Sequence, residues 1–140
     1  IPYIKEAYAA GKYAFVSDYA RFWILYHYGG LYFDTDVEVI KSLDDIIQEG
    51  QFLGVEQQNE EHITVAPGLC IGAEKHNELF GALINQYEGF HFLEPDGSYC
   101  LKNVVEITTE LLLKYGLKNT GEIQKCCGFM IYPKDYFVSL

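Results

Sequence analysis

The sequence predicts an α/β fold. Segments of helical composition alternate with short apolar segments along its length. The hydrophobic share, 49% of 140 residues, suffices for a real core in a chain long enough for about one domain. No internal repeat, low-complexity tract or Pro/Gly-rich linker divides the chain.

Residues 3–10 have helical composition and stop at Gly11, a residue suited to a helix C-terminus. A second helix is predicted over about 18–28, bracketed by Ser17 as cap and by the turn Gly29-Gly30. Residues 20–26 are apolar on nearly every side, which places this helix centrally in its domain. Leu31–Phe33 then reads as a short buried strand running into Asp34-Thr35-Asp36, with apolar/polar alternation resuming at Val37 and Val39. Ser42 is placed to cap a short helix by meeting the amide near Asp45.

Residues 51–55 read as a strand and the polar run 56–62 as a loop, followed over 63–73 by a strand, a Pro-Gly turn and another strand. Apolar residues at 79, 80, 83, 84 and 87 repeat with the helical period over Asn77–Tyr87. Phe90–Leu93 runs into a Pro-Asp-Gly turn. Val104–Tyr115 is an amphipathic helix closed by Gly116, and Phe129–Tyr132 is a final strand ahead of Pro133.

Composition excludes several function classes. With 10 Lys plus Arg against 20 Asp plus Glu the formal charge is −10, and no basic stripe exists, so a nucleic-acid backbone is excluded as a partner. There is no run of about 18 apolar residues for a transmembrane span, and no basic segment followed by an apolar one as in a signal peptide. A P-loop, a GxGxxG fingerprint and a GxSxG elbow are all missing. Cys70, Cys100, Cys126 and Cys127 read as reduced, mostly buried thiols of a cytosolic protein. Adjacent Cys126 and Cys127 lack the two-residue gap that lets thiolates converge on zinc.

Asp34 and Asp36 are the strongest local signal. Two carboxylates one residue apart share a side if the segment is extended, and a turn at a strand end brings both near one hard cation. Ligands of α/β sheets bind beyond the carboxyl ends of strands, where Leu31–Phe33 plants this pair, although Asp-x-Asp alone is common in solvated loops. Asp18 and Arg21 form a second constellation, three residues apart on one helical face and the only formal charges between Lys12 and Asp34. They fit either a structural ion pair near the helix N-terminus or a polar floor that meets sugar or ribose hydroxyls and phosphate charge. Residues 34–61 hold nine acids and one base, Lys41, so a phosphorylated ligand would need Mn²⁺ or Mg²⁺ there. His62, His76 and His91 are scattered, and His27 in the apolar helix reads as core-facing or bonded to its surroundings. Tyr26, Tyr28 and Tyr32 read as packing residues, with one phenol within reach of the site.

The string KYAFVSDYARFWILYHYGGLYFDTDVEVIKSLDD, residues 12–45, resembles the DXD-containing sugar-transferase region of the glycosyltransferase 32 family, which includes initiating mannosyltransferase-like proteins and capsular polysaccharide transferases. Weaker likeness continues through residues 69–75, 87–92 and 130–137. The resemblance implies a GT-A-like nucleotide-sugar transferase core over residues 1–140, truncated at both ends and therefore weak or inactive as a fragment. It implies transfer of a hexose, with retention of configuration, from a nucleotide-sugar donor to a saccharide or glycolipid acceptor in surface polysaccharide synthesis. The implied setting is cytoplasmic, at the inner face of the membrane through regions outside this chain.

Carried over by position, Asp18 and Arg21 correspond to donor contacts, Asp34 to the acid near sugar and ribose hydroxyls, and Asp36 to the ligand of a divalent cation, Mn²⁺ or Mg²⁺. Ser17 corresponds to a donor-site neighbour and Gly29-Gly30 to the turn. The spacing of Asp34 and Asp36 suits donor and metal binding rather than nucleophile and acid/base roles, so no catalytic nucleophile is assigned. Two other classes compete with this reading: a non-catalytic carbohydrate or protein interaction module on the same scaffold, and metal-assisted hydrolysis.

Overall fold

A computed structural model of the chain describes residues 1–137. In chain order the elements are α1 (Pro2–Ala9), α2 (Tyr13–Tyr28), β1 (Gly30–Tyr32), α3 (Asp44–Gln48), β2 (Phe52–Gln58), β3 (Ile63–Val65), β4 (Ile71–Ala73), α4 (Glu78–Glu88), α5 (Val104–Lys114), β5 (Gln124–Cys126) and β6 (Phe129–Tyr132), with a 3₁₀ turn at Lys134–Tyr136. This is a mixed α/β fold. The strands run in the order β1-β4-β2-β6-β5, with β3 pairing on β2. β2 and β6 are parallel, and the other pairs are antiparallel.

One apolar core joins the sheet to the helices. The 3.6-residue repeat of α4 buries Leu79, Phe80, Leu83, Ile84 and Tyr87. Phe80 meets Phe22 of α2 edge-on at 5.0 Å between ring centroids and stacks on Phe129 of β6 at 5.3 Å. α4 begins where the side chain of Asn77 accepts the amide of Phe80 at 2.9 Å, and α5 where Asn103 accepts that of Glu106 at 2.9 Å. Thr109 of α5 is buried and its hydroxyl accepts the Val65 amide at 2.9 Å, which satisfies β3 on that side.

Several expectations change against the structure. α2 starts at Tyr13 after Lys12, so Ser17 lies inside the helix and caps nothing. The first turn extends because Phe15, Val16 and Tyr19 pack against the core. Nor is α2 buried all round: Arg21, Phe22 and Leu25 are buried, while Trp23 and Ile24 are 41% and 51% exposed. His27 is exposed rather than core-facing and lies against Trp23, with ring centroids 4.2 Å apart.

β1 is an edge strand, not a buried one, with Leu31 47% exposed. Residues 37–39 form no strand despite their alternation, since nothing pairs with them. Ser42 meets the amide of Asp44 at 3.2 Å rather than that of Asp45. The polar stretch Glu56–Gln58 continues β2, because the antiparallel partner β3 satisfies its backbone through Gln57↔Thr64 and Gln58↔Ile63. β5 has no apolar run to announce it. Phe90–Leu93 contributes one bridge, Leu93 to Tyr99, around the predicted turn.

The end of α2 that leads into the site region is fixed by glycine. Gly29 closes α2 at φ 69°, and a Cβ there would come within 2.9 Å of the Lys75 amide nitrogen. The chain therefore turns from α2 straight into β1, which brings residues 32–36 back over the α2 face carrying Asp18 and Arg21. Among the described residues no helix is long and apolar enough to cross a membrane.

Candidate functional site

Arg21 is the centre of the site. It projects from α2 with 6% of its side chain exposed, and its Nη2 donates to Asp18 Oδ1 at 2.8 Å, one helical turn earlier. The same nitrogen lies 3.4 Å from Asp34 Oδ1, and the guanidinium sits over the Tyr32 ring at 4.7 Å from its centroid. Tyr32 donates its hydroxyl to Asp34 Oδ1 at 2.9 Å. One buried cation is thus flanked by two carboxylates and floored by a phenol ring. Its Nε is buried without a hydrogen-bond partner in the protein.

The loop that presents Asp34 is held from the far side. The Asp34 amide donates to Gly68 O at 3.0 Å, tying residues 33–36 to the turn between β3 and β4. Gly68 has no room for a side chain: a Cβ there would overlap Asp34 Oδ2 and would lie 3.3 Å from Arg21 Nη1. Sequence reasoning read Pro67-Gly68 as a turn and missed its contact with the site. An isolated glycine marking a close approach was the available signal. Tyr32 turns out to be the phenol that reaches the site.

Asp36 differs from Asp34 in every respect. The amide of Val37 donates to Asp34 O at 3.0 Å, so residues 34–37 turn instead of running extended. Asp36 is exposed on that turn, and among the described residues its side chain makes no hydrogen bond or ion pair. The segment is therefore a turn and not extended, with Asp34 bonded through Oδ1 to Tyr32 and Arg21 while its side chain stays 40% exposed, and Asp36 unbonded among the described residues. Among the described residues no three metal-ligating side chains cluster.

Electrostatics follow from the crowding. Burial raises the Asp18 carboxyl to about 6; Arg21 opposes the rise and Asp34 adds to it. Asp18 is ionised and paired with Arg21 at neutral pH, and becomes a neutral acid a little below. Burial and the bond to Asp34 also hold the Tyr32 phenol above its usual range, with Arg21 opposing.

Such a group offers carboxylate oxygens to hydroxyls, a buried guanidinium to negative charge, and a free carboxylate at the rim. Such a set of groups suits a ligand that carries both hydroxyls and negative charge. Residues 1–53 match the family described as "Glycosyltransferase sugar-binding region containing DXD motif". Over 68 residues, 49% of the chain, it is 34% identical to "Inositol phosphoceramide mannosyltransferase 1" of Schizosaccharomyces pombe (strain 972 / ATCC 24843). The match covers 20% of that protein, so the chain spans about a fifth of the relative's length. No solved structure matches the chain.

Proposed function

We propose that the chain carries the donor-binding part of a metal-dependent, retaining glycosyltransferase with a GT-A-like core, which moves a hexose from a nucleotide sugar to a saccharide or glycolipid acceptor. The observation that carries this reading is the pairing of a buried Arg21, held between Asp18 and Asp34, with an uncommitted Asp36 at the rim. The family match over this same stretch supports sugar transfer. The name of the fungal relative, a mannosyltransferase of inositol phosphoceramide, supports a hexose donor and a lipid-linked acceptor.

The donor set fits a hard divalent cation. Mn²⁺ or Mg²⁺ takes oxygen ligands, and Mg²⁺ in particular is commonly held by one or two carboxylates with substrate phosphates and water completing the shell. Asp36 would hold it, since Asp34 Oδ1 is engaged by Tyr32 and Arg21, which leaves Oδ2 of Asp34 for a donor hydroxyl. The chemistry that such a cation supplies is stabilisation of negative charge on the departing nucleoside diphosphate. Asp18 and Asp34 accept hydrogen bonds from hydroxyls of the donor and fix its orientation. Arg21 places positive charge where the leaving group develops negative charge.

The test is a product assay on the full-length protein with labelled nucleotide sugars and a panel of saccharide and glycolipid acceptors. Acceptor-dependent formation of a glycoside with retained configuration supports the reading. Release of free sugar at a rate unaffected by any acceptor would assign hydrolysis instead, and binding without turnover would assign an interaction module.

A further inference from the structure

The tip of the β5–β6 hairpin brings together two groups that the site does not use. Cys126 pairs with Phe129, leaving Cys127 and Gly128 as a two-residue turn with φ 55° and 81°. Such turns need two left-handed residues, and a cysteine in the first position is unusual, since asparagine, aspartate or glycine normally stands there. Neighbouring side chains on a strand point to opposite faces, but the left-handed conformation breaks that alternation. It swings the Cys127 thiol back beside Cys126, with the two sulfurs 3.8 Å apart.

Their surroundings differ. Cys126 is buried, and its thiol lies 3.6 Å from Leu112 O and 3.8 Å from Tyr115 O, carbonyls of the last turn of α5. Cys127 is half-buried and lines a surface groove of about 350 Å³ with Glu78, Leu79, Ala82 and Tyr115. One thiol is open to a reagent and the second stands behind it.

We propose that Cys126 and Cys127 form a dithiol that closes reversibly to an intramolecular disulfide on exchange with a low-molecular-weight disulfide such as oxidised glutathione. Cys127, having lost its proton to solvent, attacks one glutathione sulfur, forming a mixed disulfide and releasing one glutathione thiolate. Cys126, deprotonated in turn, attacks the Cys127 sulfur and releases the second glutathione. Two protein thiols are oxidised, and one glutathione disulfide is reduced to two thiols. Burial raises the Cys126 thiol to about 11, with Cys127 adding to the rise, which assigns the resolving role to Cys126 and the first attack to Cys127.

Consecutive Cα atoms lie about 3.8 Å apart, below the usual disulfide span, so the closed form is strained and easily reduced. This inference stands independently of the sugar-transfer reading.

The full chain is equilibrated with mixtures of oxidised and reduced glutathione, acid-quenched, and the peptide holding both cysteines is weighed. Wild type is expected to give a peptide lighter by two hydrogens and fully restored by reductant. Cys126→Ser is expected to trap at least about tenfold more glutathione adduct on Cys127 than wild type, while Cys127→Ser leaves Cys126 unmodified. Should Cys126→Ser fail to fold, wild type and Cys127→Ser still decide the matter. A wild-type peptide that stays reduced across the series, or that keeps the glutathione adduct, overturns the proposal.

Discussion

Asp34 and Asp36 stand two residues apart in one motif yet live in different parts of the molecule. Asp34 is bound through its side chain to Tyr32 and Arg21 and through its amide to Gly68. Asp36 is exposed on the following turn, with no bond among the described residues. The first acid is therefore tied to the fold through one oxygen and its amide, and the second carries no such tie. A motif that looks symmetrical in sequence thus divides its work between a held half, which orders the site, and a free half, which is open to whatever binds. Substitutions in the held half should affect both stability and binding, and substitutions in the free half should affect binding alone.

The largest expected effect comes from breaking the held half at its least obvious point. Gly68→Ala sets a methyl group against the Asp34 carboxylate and crowds Arg21. Overpacking of this kind costs about 1–3 kcal/mol, and donor affinity is expected to fall with it. Thermal unfolding and calorimetric titration with UDP- and GDP-sugars measure the two together. An unchanged unfolding midpoint would show that the loop yields more easily than its contacts imply.

Asp18→Asn comes next, and it separates structural from functional use of the ion pair. Removing one partner of a buried pair is normally severe, but Asp34 remains 3.4 Å from Arg21 and keeps it compensated. Most of the unliganded stability is expected to survive. Donor binding or transition-state stabilisation is expected to fall by about 1.5–3 kcal/mol, since asparagine keeps an acceptor but loses the charge-assisted bond. A large drop in unliganded stability with donor affinity intact would return Asp18 and Arg21 to a purely structural role.

Tyr32→Phe is milder. It deletes the 2.9 Å bond to Asp34 while leaving the ring beneath Arg21, and about 0.5–1.5 kcal/mol of stability is expected to go with it in denaturant unfolding. The last test is a pH dependence. Asp18 titrates at about 6 in the fold, above the usual carboxylate value near 4 in the unfolded chain, so the native state binds the extra proton between them. Its contribution to stability is complete below about pH 4 and is lost as pH rises through about 6. The difference in unfolding midpoint between wild type and Asp18→Asn should shrink over that window. A difference that grows with rising pH would contradict the raised value.

The sequence made some of this architecture legible and concealed the rest. α4 and α5 are readable because each buries a single stripe at helical spacing and starts at a capping asparagine. The polar continuation of β2 was not, since Glu56–Gln58 is strand only by virtue of β3 across from it. α2 misled in the opposite direction. Its apolar residues suggested full burial, whereas Trp23 and Ile24 face outward and the buried face carries the one arginine.

Asp18 and Arg21 could be singled out because charges in an apolar stretch must be paired or used, and Asp34 because it opens an Asp-x-Asp pair at a strand end; the structure brings the three together. The divergence of Asp36 from Asp34 was not visible, because it depends on a turn closed by the Val37 amide. The contact with Gly68, 34 positions further along than Asp34, depends on the β3–β4 turn folding back over the site.

The central claim is that Asp36 supplies the cation ligand while Asp34 belongs to the fold. It is tested most directly by titrating UDP and GDP into the full-length wild type, Asp34→Asn and Asp36→Asn, each with and without Mn²⁺, alongside unfolding of the unliganded proteins. Asp36→Asn is expected to lose most of the Mn²⁺-dependent gain in affinity with its unfolding midpoint unchanged, whereas Asp34→Asn lowers the midpoint as well. An Asp36→Asn protein that keeps the full Mn²⁺-dependent gain would contradict the claim.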